Sequence, residues 1–199
     1  LSDDAIKLGV SMLDVKDRVV KSSLAFYNFG SVGENAIDHV VSVATYDDMF
    51  MPELDFVSKD HMLAITDKGV IIFEGSQTPK ETTRIEFMEE VKSVFYNNEY
   101  IGTICAGTDE NLHDVVRVYD LNGKMKMEEG TDVEYSNVEL LSSNEVCISN
   151  RTVCDIYTVQ GVFKFHYEFE DELYGVIPGG SSLNYTFILN GVTEQVRLK

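Results

Sequence analysis

The sequence predicts an all-β, β-propeller-like fold of about four blades, each of four antiparallel strands, closed into a ring or left as an open arc. Three observations predict it. The first is a repeated phrase in which a β-branched or apolar run ends in an aromatic, with a glycine four residues on: Phe26 with Gly30, Tyr119 with Gly123, and Tyr157 with Gly161. Val70-Ile71-Ile72-Phe73 is a fourth copy whose glycine, Gly75, has moved closer. From Phe26 through Phe73 and Tyr119 to Tyr157 the steps are 47, 46 and 38 residues, and a strand-built period of roughly 40 to 50 residues marks propeller blades. The second is that the chain reads strand, turn, strand nearly throughout. The third is that runs such as Val146-Cys147-Ile148 lack strict alternation, as strands covered on both faces do. A parallel α/β sheet would need long crossover helices. The one stretch of that length, residues 82–95, is too rich in β-branched residues for helix.

Taken in order, residues 61–66 read as a strand, Asp67-Lys68-Gly69 as its turn, and 70–73 as the next strand. The following unit places strands at 91–96, 100–106 and 115–119, then an Asn122-Gly123 hairpin into 124–127, the strongest hairpin signal in the chain. A third unit runs through 138–141, 146–149, 153–157 and 162–169. The last offers three strands, 174–177, 185–189 and 192–198, with turns at Pro178-Gly179-Gly180-Ser181-Ser182 and Asn190-Gly191. Propellers commonly complete a short last blade with a strand from the other terminus, which hides two sheet edges, so either residues 5–15 pair with 192–198, or the chain lacks earlier blades and forms an open arc.

At 199 residues the chain can bury a sizeable core as one domain spanning 1–199. The balance of 34 acidic against 16 basic residues, net −18, repels phosphate backbones and anionic headgroups and argues against nucleic-acid partners. No apolar run reaches the roughly 18 to 20 residues of a membrane helix, so direct insertion is not expected. The opening Leu1-Ser2-Asp3-Asp4 reads as the start of a trimmed piece, the C-terminal part of a longer protein.

Three cysteines are too few for a disulfide framework. If the turn between them centres on Asn150 and Arg151, Cys147 and Cys154 oppose each other across an antiparallel pair. Reduced buried thiols are the favoured reading, with a disulfide as the alternative. The histidines His39, His61, His113 and His166 are scattered without metal-pair spacing, and Asp47-Asp48, Asp109-Glu110, Glu128-Glu129 and the acids of 168–172 read as solvated faces. No catalytic, cofactor-binding or metal-ligating residue is assigned, and no cofactor is expected. Gly30-Ser31-Val32-Gly33 lacks the third glycine and the helix of a nucleotide loop. The repeated aromatics read as blade-to-blade packing.

The Val118-Tyr119-Asp120-Leu121-Asn122-Gly123-Lys124 turn resembles the repeats of quinoprotein-like bacterial propellers, but the chain has no tryptophan, so quinone binding is not implied. A closer resemblance rests on Phe26 to Glu34, Ser93-Val94-Phe95-Tyr96, Val118-Tyr119-Asp120 with Asn122-Gly123-Lys124, and Val196-Arg197-Leu198-Lys199. Together these resemble an uncharacterised Firmicutes (clostridial) family known only as a domain of unknown function. The resemblance implies an N-terminal membrane anchor followed by an extracytoplasmic, propeller-like region, and it implies no activity.

The expected function is a non-catalytic extracytoplasmic binding or scaffolding module for a protein or cell-envelope ligand. The longest insertions supply the contact candidates Thr108, Asp109, Glu110 and His113 in one loop, and Gln77 and Pro79 in another. One alternative is a glycoside hydrolase or lyase with carboxylates at the central channel. The other is a structural domain that pairs through its end strands or with missing N-terminal blades.

Overall fold

The computed structural model describes residues 1–30, 34–107, 114–181 and 183–197. These form strands throughout, with one 3₁₀ turn at Ala36–His39, so the all-β, propeller-like expectation holds. The strands make five small antiparallel sheets where the repeat spacing predicts about four. They fall into two compact units, Leu1–Met88 with Leu121–Gly123, and Glu89–Asp120 with Lys124–Lys199.

The first unit holds two sheets. One is β1 (Lys7–Lys16), β2 (Val19–Asn28) and β3 (Val40–Asp47); the other is β4 (Glu53–Phe56), β5 (His61–Ile65), β6 (Gly69–Glu74) and β7 (Lys80–Glu86). Leu24 and Phe26 of β2 pack against Met62, Ala64, Ile71 and Phe73. The Phe26 and Phe73 ring centroids lie 5.1 Å apart, so these two repeated aromatics do join one sheet to the next. Each fully buried side chain of this size contributes about 1.5–3 kcal/mol.

The second unit holds three sheets: β8 (Val91–Tyr96), β9 (Tyr100–Ala106), β10 (Asp114–Asp120) and β11 (Met125–Thr131); β12 (Asn137–Leu141), β13 (Glu145–Ser149), β14 (Val153–Thr158) and β15 (Phe163–Glu168); and β16 (Leu173–Pro178), β17 (Asn184–Leu189) and β18 (Val192–Arg197). The β12–β15 sheet is covered on both faces. Val146, Ile148 and Tyr157 share a core with Ile104, Val116 and Val118. Their neighbours Cys147, Cys154 and Ile156 share one with Tyr185, Phe187 and Leu189. Burial of successive residues on opposite faces removes the alternation that a half-exposed strand would show.

The repeated phrase marks a β-bulge. In four sheets the ladder to the next strand slips at the same place: between Phe26 and Tyr27, Ile72 and Phe73, Val118 and Tyr119, and Ile156 and Tyr157. The extra residue sits on the following strand, at Val41, Thr82, Lys126 and Lys164. Tyr27 rather than Phe26 is therefore the structural counterpart of the other three markers. The glycines after the markers turn the chain where L side chains strain, with φ of +74° at Gly123 and +84° at Gly161.

Two expectations are corrected. Residues 5–15 do not complete the last sheet: β1 pairs along its whole length with β2, from Lys7↔Asn28 to Lys16↔Val19, and the last sheet stays three-stranded. The cause is the two-residue turn Asp17-Arg18, which folds β1 straight back onto β2 with φ of +52° and +67°, both positive as a type I′ turn requires. The turn between the cysteines is also displaced. Ser149 pairs with Cys154 and Cys147 with Ile156, so the cysteines are diagonal neighbours rather than opposed. All three cysteines are free thiols.

Candidate groove between two sheets of the second unit

The groove starts from the connection between β11 and β12. Asp132, Val133 and Glu134 line two adjoining hollows, of about 690 and 490 Å³. Lys92, Asp114 and Tyr135 wall the larger; Asn150, Asp155, Tyr157, His166 and Glu168 wall the smaller. Local chemistry shapes each wall. Asn150 folds the β13–β14 turn by accepting hydrogen bonds at Oδ1 from the Thr152 and Val153 amides, at 2.9 and 2.8 Å, a turn its short amide side chain favours. Its Nδ2 donates to the Glu134 carbonyl at 3.1 Å, which ties that turn to the β11–β12 connection. At the other end the Lys92 ammonium donates to Asp114 Oδ1 at 2.6 Å, and the Asp114 hydrogen bond raises the lysine pKa. Ser93 and Tyr135 join their hydroxyls at 2.9 Å.

The chemically distinctive element is the pair Asp155 and His166, directly opposed on β14 and β15. His166 Nδ1 meets Asp155 Oδ1 at 2.6 Å, and its Nε2 lies 3.7 Å from Glu168 Oε1. Asp155 is 7% exposed. Its hydrogen bond to the imidazole is the main reason the His166 pKa rises, ahead of the nearby charge. Burial pushes the neighbouring Tyr157 phenol up to about 12, so it stays a neutral hydroxyl. The wall therefore presents carboxylates, an imidazolium favoured by its partners, and one aromatic.

In repeat register this pair is a departure. Asp155 stands two residues before its marker aromatic, as Ala25, Ile71 and Arg117 do before theirs. Ala25 and Ile71 are buried and apolar. Arg117 is held between Glu128, at 2.7 Å from Nε, and Glu89, at 3.2 Å from Nη2. The charged residues at two of the four positions are the signal by which the sequence could have pointed here, once its copies were set in register.

Of the residues expected to make contacts, Thr108, Asp109, Glu110 and His113 lie outside the described residues. Their loop joins β9 to β10 and ends at Asp114, which does line the groove. Gln77 and Pro79 lie in the β6–β7 turn, Gln77 exposed and Pro79 buried. That turn joins third to fourth strand, the opposite end of a four-stranded meander from a second-to-third connection. The first unit has its own depression of about 390 Å³, between the β5–β6 turn and the end of β7. Its cations are engaged elsewhere, Lys68 with Asp48 at 2.9 Å and Arg84 with Glu81 at 2.8 Å.

Residues 1–198 match the model of a family of unknown function, DUF5711. The chain belongs to this family. No curated protein matches it in sequence. Among solved structures it resembles Hsv2 of Kluyvelomyces marxianus, with a TM-score of 0.54 at 12% identity over 90% of this chain and 56% of that one. It also resembles BBS1N, solved in complex with ARL6DN, at 0.50 and 11% over 98% and 74%. BamB of Moraxella catarrhalis matches at 0.48 and 12%, over 95% of this chain and 57% of its own. The first two likenesses concern the fold alone, and this chain spans little more than half the length of Hsv2.

Proposed function

We propose that this domain is a non-catalytic binding or scaffolding module, that it works outside the cytoplasmic membrane on a membrane-anchored protein, and that it takes a protein or cell-envelope ligand. The groove along residues 132–136 is its contact surface. The observation that carries this reading is the placement of Asp155 and His166: the repeat position that is apolar in the first two sheets becomes charged on the groove wall. Replacement of buried apolar residues by charged ones costs stability and is characteristic of functional surfaces. The fold suits the task, since rigid sheets hold the connecting loops in place, and the similarly folded BBS1N carries a protein partner, ARL6DN. Extracytoplasmic placement is supported by the resemblance of the repeat phrases to an anchored family.

A photo-cross-linking amino acid placed at Glu134 or Glu168 is expected to capture a partner in intact cells of the source organism. The same probe at Asn122 or Gln160, in the opposite turns of their sheets, is expected to capture none. Equal capture at all four positions, or capture at none, overturns the groove as the contact surface. Protease added to intact cells with the wall removed should degrade the domain; full protection overturns the extracytoplasmic placement.

A second reading has an observation of its own. β18 is the edge of a three-stranded sheet, and Val192, Thr193, Glu194 and Gln195 are exposed along it. An open edge is a template for strand addition. On that reading the purified chain is a dimer by light scattering, and a proline at Thr193 makes it a monomer.

A further inference from the structure

The β13–β14 hairpin carries two sulfurs in contact. Cys147 Sγ and Cys154 Sγ are 3.6 Å apart, and both residues are fully buried in the core joining the β12–β15 and β16–β18 sheets. A disulfide needs about 2.05 Å, so the sulfurs must close by roughly 1.5 Å. The third cysteine, Cys105, is on β9 and buried beside Thr103, 3.7 Å from its hydroxyl. We infer that Cys147 and Cys154 are a disulfide-forming pair whose redox state is set once, while the chain folds, and is then locked by burial.

Before folding, a loop of six intervening residues keeps the thiols near each other, and both are open to an oxidant. Glutathione disulfide is sufficient. The thiolate of one cysteine attacks a glutathione sulfur and displaces glutathione thiolate. The second cysteine thiolate then attacks the protein sulfur of the mixed disulfide and displaces the other glutathione. The pair loses two electrons and two protons, and one glutathione disulfide becomes two glutathiones. After folding, this chemistry stops. Exchange needs a thiolate and an access path, whereas the contact with Cys154 and burial together push the Cys147 thiol far above its ordinary range. Exchange then waits for an opening of the sheet, which is rare in a buried central hairpin. The bond would brace the turn whose Asn150 anchors the groove wall.

The sequence supplies a clean readout, because trypsin cuts after Arg151, between the two cysteines. Peptides 127–151 and 152–164 separate unless a disulfide joins them. Denatured, reduced chain is refolded with reduced and oxidised glutathione, quenched with acid, unfolded and alkylated. The expected product is about 2 Da lighter before alkylation, has 127–151 linked to 152–164, and takes one alkyl group, at Cys105. Reduced chain folded first and then placed in the same buffer is expected to keep three alkylatable thiols, oxidising more than about a hundredfold slower. Three free thiols after oxidative folding overturn the pair, as does a bond to Cys105. Oxidation of the folded chain at the rate of the unfolded one overturns the lock.

Discussion

Gly102 shows how tightly single residues are constrained. It lies opposite Phe95 on the neighbouring strand, and a Cβ there would stand 2.1 Å from the Phe95 Cζ. The ring lies across the glycine backbone, a cross-strand aromatic–glycine pairing. Gly102→Ala is expected to cost about 1–3 kcal/mol in urea denaturation, and Phe95→Leu in the same chain should return part of that loss; an unchanged midpoint refutes the contact. His166 gives a pH dependence. Its folded pKa lies above the ordinary 6.5, so its contribution is fully present below the unfolded value and is lost as pH rises through the folded one. The side chain is 48% exposed, so the effect is screened and small. The stability difference between the native chain and His166→Gln should therefore be larger near about pH 5.5 than near about pH 8.5; the reverse trend contradicts the Asp155 pairing. Neither feature was legible at residue level. A glycine under a ring and an Asp opposite a His depend on which residues of two strands face each other, and that is set by register.

At the scale of the element, the sequence carried the strands of the second unit closely. Asn122-Gly123 turns the chain between β10 and β11 as expected, although only Gly123 takes a positive φ, +74°, so the turn is not the type I′ of a two-residue loop, and the runs at 91–96 and 100–106 are β8 and β9 as expected. The β1–β2 hairpin escaped notice because Asp17-Arg18 carries no glycine, although both residues adopt left-handed φ. The bulges add a prediction. Lys126 has no residue opposite it in the ladder, since Tyr119 pairs with Met125 and Val118 with Met127. Deleting Lys126 leaves those pairs and the faces of β11 in place. Deleting Glu128 instead turns Glu129 to Thr131 to the other face and takes the buried Thr131 out of its site. The Lys126 deletion is expected to be the milder of the two in thermal melts, and equal or reversed losses would contradict the bulge assignment.

At the scale of the whole molecule, charge dominates. A net charge of −18 over 199 residues opposes compaction through self-repulsion, which salt screens. Raising salt from about 10 mM to about 0.1 M shortens the Debye length from roughly 30 to 10 Å, and the melting temperature is expected to rise. A fall would mean that surface ion pairs such as Lys68–Asp48 and Arg84–Glu81 outweigh the repulsion.

That this chain is built of repeated antiparallel sheets follows from its residues read in order, because strand period, turn chemistry and the spacing of the marker aromatics are local properties. The packing of the markers Phe26 and Phe73 between sheets follows in the same way. The folded structure alone reveals that the described residues make five sheets, that β1 closes on β2 rather than on the last sheet, and that Cys147 lies diagonal to Cys154. Those outcomes turn on pairing register, where a shift of one residue changes every facing pair while leaving the hydrophobic pattern nearly intact. The groove belongs to the same class: Asp132 comes from the β11–β12 connection, Asn150 and Asp155 from the β13–β14 hairpin and His166 from β15, and strand pairing together with the Asn150–Glu134 hydrogen bond brings them to one wall.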